Sequence, residues 1–459
     1  MSSTLQQLAL DTGGTLLFAS ESGDQRYIGV SSDTRQLRPG QLYIALRGPN
    51  FDGAGFLQEA HDKGAVGALA ERTGPEGFPV VRVVDALQGL QRAARSYRLR
   101  CQLPVIAVAG SNGKTTCKEM LAAILREKAP TLATRGNLNN HIGVPLTLLH
   151  IESEHEHAVI ELGANHPGEV AALATMVVPD IGIVTNAGAE HLEGFGSVEG
   201  AARAEGELFA ALAPEGVAVL NADDAYADLW RDMTVARVVT FGLGTKADYF
   251  ARDVRTDWSE GRFITRFRLC SPHGETPIVL GLAGQHNVIN ALGASAAAIA
   301  AGATLEHVAV GLAQMRAVAG RLQLRQAICG ASVIDDSYNA NPSSMEAAID
   351  VLESMGGTRW MVLGAMGELG TFSSEAHRDL GRYARSHGIS RLFCFGVESQ
   401  LTAKEFGDGA EWFSDIDSLL TQLHSELTGD ISLLVKGSRS NRLERVVNAL
   451  CGDAADGVH

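Results

Sequence analysis

Short apolar runs alternate along most of the chain with segments whose apolar residues recur every three or four positions. The run 105–109 is wholly apolar, and Met120, Leu121, Ile124 and Leu125 follow it at helical spacing. Apolar runs of this length predict buried strands, and the wider spacing predicts helices that pack on them. The alternation therefore predicts an α/β protein built on parallel sheets.

The pattern divides the chain into three predicted domains, because 459 residues are too many for one hydrophobic core. Residues 1–83 contain short strand-like pieces and turns, which predict a small α/β domain. A helical pattern over residues 85–100 opens a second domain, residues 84–318, which repeats a strand–loop–helix unit. Residues 319–459 alternate strands and helices in a Rossmann-like order.

The composition narrows the classes of function. Lys and Arg total 38 against 53 Asp and Glu, and this net charge of −15 argues against a broad nucleic-acid interface. The six cysteines are scattered, as in a protein of a reducing compartment. The N-terminus lacks a signal-peptide pattern, and the longest apolar stretch, 291–303, is too short to span a membrane. We therefore expect a cytoplasmic protein with no nucleic-acid partner, no membrane insertion and no evident protein partner.

A glycine-rich stretch between the apolar run 105–109 and the following helix has the composition of a phosphate-binding loop. Its glycines let backbone N–H groups converge on one point, and the helix start adds further unpaired N–H groups. Lys114 would neutralise the outer phosphates, and the Thr115 hydroxyl would reach a magnesium ion. The two glycines are closer together than in the common pattern, so a plain glycine turn is the alternative. The stretch reads Gly110, Ser111, Asn112, Gly113, Lys114, Thr115 and Thr116. This context indicates a P-loop-type ATPase domain.

Two more predicted strands of the second domain end near ionisable residues. Residues 157–163 form an apolar run that contains Glu161, and residues 180–186 lead into a loop that contains His191. In open parallel sheets, ligands bind beyond the carboxyl ends of the strands. A carboxylate within an apolar run is costly unless it is paired or binds a metal. We therefore predict that Glu161 and His191 are magnesium ligands; a hydrogen-bonded loop histidine is the alternative for His191.

Other polar loops supply candidates for ligand contacts. Asn287 and Asn290 lie on one helical face and would present amides to a nucleotide base, unless Asn287 caps the helix. In the first domain, Arg35 and Arg47 would meet an anionic ligand, or they are ordinary surface arginines. The remaining candidates lie in turn-rich or strand-following loops and are Asn137, Asn139, Asn140, Asp336, Tyr338, Asn339, Asn341, Lys436, Ser438 and Arg439.

Eight motifs are distributed along the chain between residues 110 and 444: GSNGKTT, GNLNNHIGVPLTLL, AVIELGANHPGE, TNAGAEHLEGFGS, GQHNVINALGAS, GRLQ, DDSYNANPSSM and VKGSRSNRLE. Together they resemble those of the Mur ligases of bacterial peptidoglycan synthesis. DDSYNANPSSM and KGSRS are the most specific, because they separate a dipeptide-adding member from its amino-acid-adding relatives.

The resemblance implies an ATP-dependent ligase with two magnesium ions that joins D-alanyl-D-alanine to UDP-N-acetylmuramoyl-tripeptide through an acyl phosphate. The first domain would hold the uridine nucleotide, the second would hold ATP, and the third would close over ATP and help to bind the dipeptide. The family roles that match positions of this chain are uridine-nucleotide contacts near Ser32, Asp33, Thr34 and Arg35; magnesium ligands at Thr115, Glu161 and His191; adenine contacts at Asn287 and Asn290; a phosphate contact at Arg321; and a ribose contact at Asp336.

Two positions depart from the family pattern. Many Mur ligases have a lysine four residues before the position of Phe209, and its carbamoylated form is a carboxylate that helps to hold the second magnesium ion. Here that residue is Glu205. We predict that Glu205 replaces the modified lysine through a bridging water; the alternative is a surface helix residue. Ala365 stands where the family often has aspartate, so no catalytic role is assigned to it.

Three other interpretations remain open from the sequence. A related ligase that adds an amino acid, including folylpolyglutamate synthase, belongs to the same class. A nucleotide-driven switch or motor would need stimulation by a protein partner, and the loops GNLNNHIGVP and KGSRS argue against it. A non-catalytic nucleotide-binding module would have lost one of Lys114, Glu161 or His191, and all three are present.

Overall fold

The computed structural model of the protein describes residues 3–18, 24–259 and 261–452, which form three sheet-containing units in chain order. Residues 1–2 and 19–23 of the predicted first domain, residue 260 of the second and residues 453–459 of the third lie outside the described residues. The predicted α/β class with three units is confirmed.

The N-terminal unit is built on a five-stranded sheet of order β2-β9-β8-β5-β4, in which only β2 runs antiparallel to its neighbour. Strands β5 and β8 are buried along their whole length, because helices cover the sheet. The elements are β1 (Ser3–Thr4), α1 (Leu5–Thr12), β2 (Thr15–Leu17), β3 (Arg26–Tyr27), β4 (Val30–Ser31), β5 (Leu42–Ile44), β6 (Arg47–Gly48), β7 (Phe51–Asp52), α2 (Leu57–Asp62), β8 (Gly67–Ala70) and β9 (Val80–Arg82).

The central unit contains a six-stranded, wholly parallel sheet of order β11-β12-β10-β13-β14-β15. Strand β10 is completely buried between β12 and β13, as expected for an apolar run covered on both faces. Its elements are α3 (Ala86–Arg100), β10 (Val105–Ala109), α4 (Lys114–Arg126), β11 (Thr131–Ala133), α5 (Gly143–Leu148), β12 (His157–Glu161), α6 (Glu169–Val177), β13 (Ile181–Val184), α7 (Leu192–Phe195), α8 (Val198–Ala210), β14 (Val217–Asn221), α9 (Ala227–Asp232) and β15 (Arg237–Phe241).

A three-stranded antiparallel sheet follows, which the apolar-run pattern did not predict. It consists of β16 (Phe250–Ser259), β17 (Arg262–Ser271) and β18 (Gly274–Leu280), before helices α10 (Gln285–Ala300) and α11 (Leu305–Gln314). Phe267 and Leu269 of β17 are buried, whereas the intervening Arg268 is exposed. One face of this sheet joins the core formed by α4 and α10, and the other face is solvated. Its strands therefore alternate and contain no long apolar run.

The C-terminal unit has a mixed six-stranded sheet of order β19-β20-β24-β21-β22-β23, antiparallel only between β19 and β20. The predicted Rossmann-like alternation is present, and β19, α14 and β23 are additional to it. The elements are β19 (Gln323–Gln326), β20 (Ser332–Asp336), α12 (Pro342–Ser354), β21 (Thr358–Gly364), α13 (Ser373–Ser386), β22 (Arg391–Phe395), α14 (Ser399–Phe406), β23 (Ala410–Phe413), α15 (Ile416–Glu426), β24 (Ile431–Lys436) and α16 (Glu444–Cys451).

Helix α3 connects the N-terminal and central units, and a cavity lies between the central and C-terminal units. Helix α3 packs against α1 of the N-terminal unit and against α5 and α6 of the central unit. A cavity of about 620 Å³ lies where the carboxyl ends of β10 and β12 face those of β20 and β24. Among the described residues, no helix is both long enough and apolar enough to cross a bilayer.

Candidate active site

The loop after β10 needs glycine at two positions. Gly110 and Gly113 have φ angles of +121° and +81°, a region that favours glycine. A Cβ atom at Gly110 would lie 2.2 Å from Thr185 Oγ1, and one at Gly113 would lie 2.6 Å from Asn290 Oδ1. Helix α4 begins directly after Gly113 and runs for 13 residues. Its first N–H groups and its dipole face the cavity, which suits an anionic ligand.

The neighbouring strand end fixes this phosphate loop. The backbone N–H of Ser111 donates to the carbonyl of Asn186 at 2.8 Å, and the N–H of Asn112 donates to Asn186 Oδ1 at 3.0 Å. Asn186 lines the cavity, although no role was predicted for it. These bonds fix the shape of the loop and occupy the N–H groups of Ser111 and Asn112, so the N–H groups at the start of α4 are the ones left to face a ligand.

Lys114 folds back over the loop. Its Nζ donates to the carbonyls of Gly110 and Ser111 at 2.5 and 3.0 Å, and it lies 3.4 Å from Glu190 Oε2. Burial acts to lower the pKa of Lys114, but the charges of Glu190, Glu205 and Glu161 outweigh it, and the pKa is raised. Lys114 therefore remains a cation at the loop.

Glu161 is the last residue of β12 and is 2% exposed. Its Oε1 accepts hydrogen bonds from Thr115 Oγ1 at 3.2 Å and Asn139 Nδ2 at 2.8 Å, while its buried Oε2 has no protein partner. The guanidinium of Arg321 donates to the same Thr115 oxygen at 3.2 Å. A buried carboxylate oxygen without a donor, beside a hydroxyl, is a donor set that suits Mg²⁺.

His191 lies between two carboxylates. Its Nδ1 contacts Glu368 Oε2 of the C-terminal unit, and its Nε2 lies 3.5 Å from Glu190 Oε1. Burial acts to lower the pKa of His191, but the two carboxylates outweigh it and the pKa is raised. Burial acts to raise the pKa of Glu190, and the charges of Lys114 and His191 reverse this to a lowered value. Glu190 was not predicted as a site residue, although its position next to His191 in a loop that follows a strand could have indicated it.

Glu205 supports the phosphate loop from behind. It is buried in helix α8, and its Oε2 accepts a hydrogen bond from the Gly110 N–H at 2.7 Å. The alternative that Glu205 is a surface residue is therefore wrong. Burial raises the pKa of Glu205 to about 7, against the lowering effect of Lys114 and the Gly110 N–H. The carboxylate does not line the cavity.

The two asparagines of helix α10 have different environments. Asn290 lies against Gly113, so it touches the phosphate loop. Asn287 donates from Nδ2 to the carbonyl of Ala283 at 2.7 Å, and Gly284 occupies the cap position, so the capping alternative for Asn287 is wrong. Both asparagines line the cavity, and so does His286, which was not predicted as a site residue. Burial lowers the pKa of His286.

The C-terminal unit contributes an ion pair and a stacked tyrosine. Strands β20 and β24 are parallel neighbours and end side by side at Asp336 and Lys436, whose Oδ2 and Nζ lie 2.6 Å apart. The ring of Tyr338 is flanked by the guanidinium carbons of Arg321 and Arg439, 4.3 and 5.7 Å from its centroid. These contacts hold Lys436 and Arg321 at the cavity, with Arg439 against the Tyr338 ring.

A direct bridge joins the phosphate loop to helix α12. Asn112 Oδ1 accepts a hydrogen bond from Asn341 Nδ2 at 2.8 Å, and Asn112 Nδ2 donates to Ser343 Oγ at 3.1 Å. Asn341 is also the N-cap residue of α12, because its Oδ1 accepts from the Ser344 N–H at 2.9 Å. The loop and this helix are thus in hydrogen-bonding contact across the cavity.

Most predicted site residues come together in this one cavity. Those that line it are Ser111, Asn112, Gly113, Lys114, Thr115, Thr116, Asn137, Asn139, Asn140, Glu161, His191, Asn287, Asn290, Arg321, Asp336, Tyr338, Asn339, Asn341 and Lys436. Those that do not are Gly110, Glu205, Ser438, Arg439, Ser32, Asp33, Thr34, Arg35 and Arg47. The volume is within the usual range for small-ligand sites.

The candidates in the N-terminal unit and the last loop have other partners. Arg35 forms a salt bridge with Asp33 at 2.8 Å, and Arg47 forms one with Asp52 at 3.3 Å. The two arginines thus have different carboxylate partners, and the structure does not place them in one shared cluster. Ser438 is buried, and its Oγ accepts a hydrogen bond from the Gly367 N–H at 2.6 Å.

Two family models match the chain: the Mur ligase middle domain over residues 108–298, and the Mur ligase glutamate ligase domain over residues 320–439. The chain is 41% identical over 454 residues, 98% of both proteins, to the UDP-N-acetylmuramoyl-tripeptide–D-alanyl-D-alanine ligase of Escherichia coli strain K12. A crystal structure of MurF from Acinetobacter baumannii matches with a TM-score of 0.90 and 34% identity, covering 99% of each chain. The MurF ligase from Thermotoga maritima in complex with ADP matches with a TM-score of 0.81 and 28% identity, covering 92% of this chain and 96% of that one.

Proposed function

The chain belongs to the Mur ligase family, and from that membership we infer that it is an ATP-dependent ligase that joins D-alanyl-D-alanine to UDP-N-acetylmuramoyl-tripeptide. The observation that carries this inference is the match over 98% of both chains with a ligase of that name, at 41% identity. The reaction forms a carbon–nitrogen bond, converts ATP to ADP and phosphate, and yields the UDP-linked pentapeptide precursor of peptidoglycan.

The cavity suits the first half of such a reaction, in which two anions must approach each other. ATP supplies the phosphoryl group that activates the tripeptide carboxylate as an acyl phosphate. Lys114 and the N–H groups at the start of α4 would bind the phosphates and offset their charge. Arg321 is oriented by its hydrogen bond to Thr115 and by the ring of Tyr338, so it would contact the phosphates from the opposite wall.

We propose that Mg²⁺ binds at Thr115, Glu161 and His191. The buried, unpartnered Oε2 of Glu161 supports this, since a bound cation would satisfy it. When bound, Mg²⁺ would neutralise phosphate charge during the transfer. Asn139 donates to the other carboxylate oxygen and so orients Glu161 toward the cavity.

The remaining assignments follow the division of the chain into residues 1–83, 84–318 and 319–459. The N-terminal domain would hold the uridine nucleotide through Ser32, Asp33, Thr34 and Arg35, with Arg47 as a further contact. Asn287 and Asn290 would contact the adenine, and Asp336 the ribose. Substrate contacts would come from Asn137, Asn139, Asn140, Tyr338, Asn339, Asn341, Lys436, Ser438 and Arg439. The third domain would close over the nucleotide and exclude water from the acyl phosphate.

Glu205 is proposed to supply the carboxylate that carbamoyl-lysine supplies in many relatives. One carboxylate oxygen already accepts the Gly110 N–H, and Glu205 does not line the cavity, so it would act on a second Mg²⁺ through a bridging water and not as a direct ligand. Glu205→Gln keeps an oxygen for that N–H but removes the charge. We expect this variant to need about tenfold more Mg²⁺ for half the maximal rate. The exposed Glu199→Gln on the same helix is the control. Unchanged Mg²⁺ dependence and rate in Glu205→Gln would refute the role.

The proposed reaction is tested by measuring phosphate release with each substrate omitted in turn. We expect release only when ATP, UDP-N-acetylmuramoyl-tripeptide and D-alanyl-D-alanine are all present, because the acyl phosphate is consumed by the dipeptide amine. Single amino acids in place of the dipeptide should support little release, which would separate this ligase from an amino-acid-adding one. Steady ATP hydrolysis without either substrate, or stimulated only by a protein partner, would contradict the proposal.

A further inference from the structure

One ion pair links the C-terminal unit to the imidazole of His191. The loop after β21 carries Glu368, and the loop after β13 carries His191; Glu368 Oε2 contacts Nδ1 of the ring. A backbone bond supports this contact, because the N–H of Glu193 in the first turn of α7 donates to the carbonyl of Glu368 at 3.2 Å. Building on the proposed function, we propose that Glu368 is a positioning residue: it accepts the Nδ1 proton of His191 and so leaves Nε2 as the nitrogen that can bind a metal in the nucleotide cavity.

The chemistry of imidazole makes the choice of nitrogen decisive. A neutral ring has one N–H, and a metal binds only the other nitrogen. Ligating histidines usually donate their second N–H to a carboxylate or carbonyl, which fixes the tautomer and the ring orientation. Here two carboxylates compete, because Glu190 Oε1 lies 3.5 Å from Nε2. Without Glu368, the Nε2 proton would be held by Glu190, and the metal-binding position would be blocked.

The Glu368 loop is held rigidly by its own unit. The Met366 N–H donates to Nε2 of the buried His377 at 3.0 Å, and the Gly367 N–H donates to Ser438 Oγ at 2.6 Å. Glu368 itself has a φ of +61°, and His191 has a φ of +50°. A left-handed backbone is uncommon for residues other than glycine, less so for histidine than for glutamate, and at Glu368 it persists because surrounding contacts fix it. The geometry therefore comes from anchored loops and not from flexible side chains alone.

The position of Glu368 makes the metal site depend on two units. Thr115, Glu161 and His191 all belong to the central unit, but the group that orients His191 belongs to the C-terminal unit. His191 is consequently set for metal binding only while the two units are in contact. Assembly of the metal site and closure of the cavity are coupled through this one carboxylate.

The test compares Glu368→Ala with Glu368→Gln, because glutamine keeps an oxygen that can accept the Nδ1 proton. Glu375→Gln, exposed on α13, is the matched control. The first measurement is Mn²⁺ affinity in the presence of ADP, by electron paramagnetic resonance. We expect alanine to weaken Mn²⁺ binding by about 10- to 100-fold, and glutamine to restore most of it. The second is the imidazole ¹⁵N spectrum of the full chain with labelled histidine, in which His191→Gln identifies the signal of His191 among 14 histidines.

In the wild type with Mn²⁺ replaced by diamagnetic Mg²⁺, the His191 spectrum should show a protonated Nδ1, and Glu368→Ala should lose this pattern. The inference is overturned if Glu368→Ala keeps wild-type Mn²⁺ affinity and an unchanged tautomer, or if glutamine is as damaging as alanine. Neither measurement requires turnover. A wild type that binds Mn²⁺ and ADP but makes no pentapeptide would reject the proposed reaction and leave this inference standing.

Discussion

Replacing Lys114 with alanine is expected to lower turnover by about 10²- to 10³-fold, the cost of removing one preorganised group that stabilises transition-state charge. Its Nζ contacts the carbonyls of Gly110 and Ser111 and faces the cavity that we assign to the triphosphate. No other lysine lies in this loop. The measurement is steady-state phosphate release at saturating substrates, with Lys246→Ala, an exposed lysine of the same unit, as the control.

The Lys114→Ala protein should remain folded. The Lys114–Glu190 pair borders the cavity, with 14% and 13% of the two side chains exposed, so Glu190 can hydrate or take up a proton when its partner is lost. Calorimetric unfolding of the variant should therefore superimpose closely on that of the wild type. Near-normal turnover in a folded variant would count against the phosphate role of Lys114.

The second large effect is expected from Glu161→Gln, which should lower the rate at ordinary Mg²⁺ concentrations by about 100-fold or more, since a metal contributes several kcal/mol of charge stabilisation. Glutamine preserves the volume and an acceptor for Asn139, but the unpartnered Oε2 is replaced by an amide NH₂ group, which cannot bind a metal ion. Part of the loss should be recovered at high Mg²⁺, because the remaining ligands still contribute.

The measurement for Glu161→Gln is phosphate release across a titration of MgCl₂. Glu215→Gln, an exposed glutamate of the same unit, should titrate like the wild type. If Glu161→Gln shows an unchanged half-saturating Mg²⁺ concentration, the metal is held elsewhere, and the buried oxygen of Glu161 needs another explanation.

The sequence predicted the parallel sheets well because their strands are buried on both faces. Strand β10 is apolar at every position, and the glycine loop behind it lies where predicted. The antiparallel strands β16 to β18 escaped prediction because only alternate residues face the core. A continuous apolar run indicates a strand that is buried on both faces. A strand that is buried on one face alternates apolar and polar residues, so a search for apolar runs misses it.

Within the site, chain order revealed strand-end residues but not contacts between units. Glu161 and Lys114 could be identified from their own flanks. Glu368 could not be identified in this way, because its contact with His191 forms only when the C-terminal unit packs against the central unit. Glu205 was identified by its position in the family pattern, four residues before Phe209, yet its bond to the Gly110 N–H depends on how α8 packs behind the loop. Local sequence therefore identifies groups, and tertiary packing determines which atoms they meet.

Two of the contacts between the central and C-terminal units differ in their response to ionic strength. Asn112, Asn341 and Ser343 meet through uncharged amide and hydroxyl groups, which dissolved ions scarcely weaken. The Glu368–His191 pair is charged when the ring is protonated, and 63% of the glutamate side chain is exposed, so mobile counterions screen it. Concentrated electrolyte should therefore weaken the contact between Glu368 and His191 more than the contact at the asparagines.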